Sequence, residues 1–214
     1  MIYNISELIL LKRGDDRMKN RILCFVILIV IALSGCTKKN AEEIVAYVGE
    51  TPVTMAEYEF YLDNVKQQMQ GTELSNDEDW QNKEIDGKKA IEIAKERALD
   101  IAAVNLAYIE IYEKMGRKFT DDDQIQIDAI KNDMVSQYSE GGYDEFLKTN
   151  NITDEFIDML CKSTYCAEIF YNEIASENNV SQDELDALFE KFIEEKMQEF
   201  GIFAVETDAI KEIK

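Results

Sequence analysis

The chain has 214 residues, no histidine, a single proline (Pro52) and a formal charge of −21. The missing histidines exclude imidazole acid–base chemistry, histidine-activated serine or cysteine nucleophiles and histidine-ligated metals. The 44 acidic residues oppose nucleic-acid binding, because phosphate repels them.

A hydrophobic content of 46% is enough for a packed core, so the chain is not a disordered acidic polymer. One proline and nine glycines favour long helices over a turn-rich β fold. The expected fold class is mostly α, a multi-helix domain with a short N-terminal strand that can pair with a C-terminal strand.

The first expected feature is an address. Residues 18–35 read as a lipoprotein signal peptide: Lys19 and Arg21 give a positive start, and Ile22 to Leu33 are uncharged. That stretch is too short to cross ~30 Å of hydrocarbon as a helix but suits a signal-peptide core. It ends in Leu33-Ser34-Gly35-Cys36, which resembles a bacterial lipobox. In such signals the cysteine is diacylated and becomes the first residue, so Cys36 is the expected lipid-attachment site. A plain membrane anchor or secretory signal is the alternative.

Residues 1–17 carry Glu7, Asp15 and Asp16 ahead of the positive segment, which suggests a start called too early, at Met1 instead of Met18. A cytoplasmic extension is the alternative. Removal of 1–35 takes away five basic and three acidic residues, so the mature chain is more acidic still. Residues 36–43 form the lipidated tether. The charge serves solubility and holds the body off an anionic surface.

Ile44 to Val48 reads as a strand, Gly49-Glu50 as a turn, and Thr51-Pro52-Val53 as extended chain, with proline fitting an edge. Thr54 and Glu57 form a capping box. The helix it opens runs to about Gln70, with Tyr58, Tyr61, Leu62, Val65 and Met69 on one face. Gly71 stops it. Residues 72–86 read as a polar loop holding Trp80, and Asp86 as the cap of a helix from about 87 to 115.

This longest helix carries a wide stripe (Ile91, Ala94, Ala98, Ile101, Ala102, Asn105, Tyr108, Tyr112), as expected of a central element. Gly116 ends it. Thr120 with Asp123 opens a helix over about 121–138. A short helix follows Gly141-Gly142, and Thr153 caps a long helix to about 177, with Phe156, Leu160, Thr164, Ala167, Phe170 and Ile174 inward. Ser181 with Glu184 opens the last helix, with Leu185, Leu188, Phe189, Phe192, Ile193 and Met197 inward. Gly201 ends that helix, and residues 202–205 suit a short strand.

Cys161 and Cys166 lie about 140° apart around one helix, a poor geometry for a disulfide. They match no redox or zinc spacing and read as buried small hydrophobes. Asp77, Asp79 and Gln81 imitate the start of a calcium loop, but Asn82 and Lys88 stand where glycine and glutamate are needed. No metal or cofactor is expected, and no catalytic residue is assigned.

Three stretches carry a family resemblance. Residues 45–54 (VAYVGETPVT), 143–156 (YDEFLKTNNITDEF) and 180–185 (VSQDEL) resemble the N-terminal chaperone domain of the SurA/PrsA foldases, which is related in fold to the substrate-binding part of trigger factor. The likeness covers about 44–200, the expected chaperone-like domain, with 201–214 as a short C-terminal strand or tail.

In that family the domain cradles unfolded exported chains, and a parvulin prolyl isomerase often follows. The 14 residues after Phe200 are too few for one, and the parvulin histidines are missing. The tail is either the stub of a truncated foldase or a partner for the Val45–Val48 strand.

The lipobox and the resemblance together lead to the expectation of a lipid-anchored extracytoplasmic protein of the bacterial cell membrane. It would bind unfolded or newly exported polypeptides without catalysis and without nucleic acid. Met55, Tyr58, Tyr61 and Met69 are the expected client contacts, with core packing as the competing role. An adaptor lipoprotein holding one folded partner and a truncated isomerase are the alternatives.

Overall fold

The computed structural model describes residues 41–69, 74 and 77–212. The lipobox, Cys36, Gly71 and residues 1–40 lie outside the described residues. The chain is mostly α with a small antiparallel sheet, as expected, and its residues group into two compact units.

The sheet unit comprises 41–107, 138–156 and 203–212 among the described residues. Its opening strands are β1 (Ile44–Val48) and β2 (Thr51–Thr54). β1 lies between β2 and a third strand, β5 (Ala204–Glu206), both antiparallel to it. The tail therefore pairs with β1 and belongs to the same unit as the opening strands. Pro52 occupies edge strand β2, where a missing amide donor is tolerated.

Helix α1 (Met55–Met69) leaves β2 through the expected box: Glu57 accepts from the Thr54 amide at 2.8 Å, and Thr54 Oγ1 accepts from the Glu57 amide at 3.3 Å. Its buried face includes Phe60, which the single-face reading omitted.

The region expected to be a loop over 72–86 is ordered where it is described. Helix α2 (Asp77–Asn82) buries Trp80 and occupies the stretch that imitates a calcium loop. A two-stranded hairpin follows, β3 (Glu84–Ile85) with β4 (Lys88–Lys89). Asp86 is not a helix cap. It and Gly87 have φ of 53° and 81°, the pair of positive angles that a tight two-residue hairpin turn requires and that Asp-Gly supplies. Helix α3 (Ala90–Lys114) thus starts at Ala90, later than expected.

The short helix α5 (Gly142–Asn150) ends at Asn151 in the left-handed conformation. Thr153 Oγ1 then accepts from the Phe156 amide at 3.2 Å, opening α6 (Asp154–Glu177).

The helical unit comprises 108–137 and 157–202 among the described residues. It contains the end of α3, helix α4 (Asp121–Val135), most of α6 and helix α7 (Gln182–Phe200). Thr120 with Asp123 and Ser181 with Glu184 form complete capping boxes. Helix α4 ends at Val135, with Ser136 as its cap, three residues short of Tyr138.

Cys161 and Cys166 are both fully buried although they point to different sides of α6, so this helix is covered on more than one side. The sequence assigned that role to α3 alone. Leu188 is not inward but exposed, and Ile174 is half-buried, because α7 and the end of α6 each bury a narrower stripe than the spacing allowed.

Candidate functional site

The expected client contacts lie on α1. Met55, Tyr58 and Tyr61 are core side chains, and Met69 is half-buried. The Tyr58 hydroxyl donates to the Lys95 carbonyl at 3.2 Å. Burial, with Glu206 adding to it, raises its pKa above the ordinary value. The Tyr61 hydroxyl accepts from Asn105 Nδ2 at 3.4 Å, and burial raises its pKa as well.

Phe60 and Tyr61 meet Phe156 edge-on, with ring centroids 5.4 and 5.7 Å apart, and Phe60 also meets Phe146. These geometries suit the aromatic quadrupole and add to area burial. The face expected to meet a client thus holds α1 to α5 and to the start of α6. In this conformation three of the four residues offer little surface to a ligand.

Exposed apolar surface in the sheet unit lies instead on the sheet. Tyr47 is 40% exposed, Phe203 54% and Val205 62%. Tyr47 and Val205 are cross-strand partners, and Tyr47 also faces Pro52 across β2. Phe203 is two residues before Val205, so strand alternation sets it on the same face. Strand alternation was the available signal: Tyr47 stands between Ala46 and Val48, both buried, and the tail was a possible partner for β1.

The helical unit has a shallow groove between α4 and α6, lined by Gln124, Ile127, Asp128, Lys131, Asp158 and Lys162, with Met159 also there. Its charges are occupied. Lys131 pairs with Asp158 at 2.6 Å, and Lys162 sits 3.9 Å over the Phe119 ring and 3.4 Å from Glu113.

Nearby, the Tyr165 hydroxyl donates to Asp123, which with the Thr120 bonds holds the Asp123 carboxyl below its usual pKa. Burial pushes the Cys166 thiol up to about 12, which favours the protonated thiol over the thiolate. Among the described residues no group of three or more metal-ligating side chains comes together. Among the same described residues no helix is long and apolar enough to cross a membrane.

The chain is similar to the foldase protein PrsA of Caldanaerobacter subterraneus subsp. tengcongensis, with 28% identity over 109 residues. The match covers 49% of this chain and 35% of that protein, so it spans about a third of the relative's length. No protein-family profile matches the chain. No solved structure matches it either. The similarity is a relationship to a foldase, on a mostly helical fold with a small sheet.

Proposed function

We propose that the chain is a membrane-anchored extracytoplasmic lipoprotein of chaperone or foldase type. It binds unfolded or newly exported polypeptides without catalysing a reaction on them. The observation that carries the reading is the similarity to a foldase over half the chain. The capped helices in the order the resemblance implies, and the Leu33-Ser34-Gly35-Cys36 sequence, support it.

Binding of this kind acts by mass action: a client held through shallow apolar contacts is withdrawn from aggregation without a bond being made or broken. Lipidation at Cys36 keeps the body at the membrane, and its acidity keeps it in solution there.

The test is aggregation of an unfolded client followed by light scattering, with the chain purified from bacterial membranes. Suppression that rises with chaperone concentration is expected, and no suppression overturns the reading. Cys36→Ala should release the protein from the membrane fraction. Capture of one stoichiometric folded partner would favour the adaptor alternative, and turnover of a proline peptide would refute the absence of catalysis.

A further inference from the structure

We propose that the outer edge of β5, with the apolar sheet face beside it, docks an extended polypeptide segment in which Lys or Arg alternates with apolar residues, as an added strand. The inference rests on the chaperone reading and names the surface it would use.

The backbone supplies the first part of the argument. Gly49 donates to the Phe203 carbonyl at 3.1 Å, and Thr207 donates to the Val45 carbonyl at 2.8 Å. With Tyr47 opposite Val205, residues 203, 205 and 207 direct their hydrogen-bonding groups at β1. Ala204 and Glu206, between them, direct theirs away from it. Among the described residues β5 is the last strand of the sheet on that side, so no strand takes those groups.

The two edges of the sheet also differ. β2 carries Pro52, a residue that blunts an edge, whereas β5 (Ala-Val-Glu) carries neither proline nor lysine.

Side chains supply the second part. Val205, Tyr47 and Phe203 form an exposed apolar patch on one face, and an added strand would set every second side chain against it.

Charge selects the occupant. The three strands contain no Lys or Arg. Glu42, Glu43, Glu50 and Glu206 are exposed around them. An incoming strand with basic residues among its apolar ones meets complementary charge. A second copy of this chain brings the same glutamates and a further −21.

The experiment uses the full chain and a fluorescent peptide of alternating valine and lysine, followed by anisotropy. Three changes are expected to weaken binding about tenfold or more. Val205→Lys puts a positive charge into the apolar patch, Ala204→Pro removes an outward donor, and N-methylation of alternate peptide amides removes the peptide's own.

The proposal is overturned if the wild type does not bind the peptide, or if both variants bind it as tightly as the wild type. It is also overturned if the wild type dimerises and Val205→Lys abolishes the dimer, which would assign the face to self-association. Client protection that survives unchanged in both variants overturns this surface and leaves the chaperone reading intact. Peptide binding at this edge without client protection overturns the chaperone reading and leaves the surface.

Discussion

In the helical unit the polar rim is tied together, whereas in the sheet unit an apolar face and a strand edge are left open. Arg117 makes a two-pronged contact with Glu173 at 2.8 and 2.9 Å and lies over the Tyr112 and Phe170 rings. The buried Asp186 carboxylate accepts from Tyr171 at 2.9 Å and from Gln182 at 2.6 Å. Long amphipathic helices satisfy their own backbone and need only cover one stripe each. A three-stranded sheet has two edges and two faces, and here Ala46 and Val48 are buried whereas Tyr47, between them, and its partner Val205 are exposed. The contrast sets a contiguous exposed apolar face on the strands of the sheet unit against apolar side chains such as Ile125 and Leu188 that are exposed along the helices of the other.

The largest effect is expected in the helical core. Phe170 is fully buried, and Phe170→Ala should cost about 3–5 kcal/mol in urea unfolding. A loss under ~1 kcal/mol would show that this core is not close-packed.

Caps come next. Thr120→Ala and Ser181→Ala should each cost about 1 kcal/mol, because each removes the acceptor for an otherwise orphaned amide.

The two units also differ in the sign of their pH dependence. Asp123 is held below the ordinary carboxylate value by its bonds from Tyr165 and Thr120, so its contribution is present above about pH 4 and fades as the pH falls through the lowered value. Asp123→Asn should therefore be less stable than wild type at neutral pH, and the two should converge in acid. Asp63, in the sheet unit, has the opposite sign: burial raises its pKa, so its charged form opposes folding and acid relieves that. Asp63→Asn should lose the acid-side relief, which thermal unfolding at two pH values would measure.

The smallest effect belongs to the open face. Val205→Lys should change folding stability by less than ~0.5 kcal/mol, since the residue is mostly exposed. A large loss would mean that the face is covered in solution.

Much of the fold was legible because its signals are local. Thr54 with Glu57, Thr120 with Asp123 and Ser181 with Glu184 announce helix starts within four residues. Gly116 and Gly201 announce ends through positive φ. Asp86-Gly87 carried an equally local hairpin signal, but two-residue strands on either side gave it no alternating pattern to confirm it. The α1 face could not be resolved in the same way. A stripe of Tyr and Met at helical spacing has the same sequence whether another helix or a client covers it.

Although α2 and the Asp86-Gly87 turn escaped it, the sequence carries the order of the long helices, the caps at Thr54, Thr120 and Ser181, the stops at Gly116 and Gly201, the acidic composition and the lack of histidine. Each of these depends on residue type or on neighbours within one turn. Only the tertiary structure decided that Tyr58 and Tyr61 are core, that α6 is covered on more than one side, and that Tyr47, Phe203 and Val205 share an exposed face. Burial is a property of what arrives from elsewhere in the chain. The partner of Tyr47 lies more than 150 residues away, at Val205.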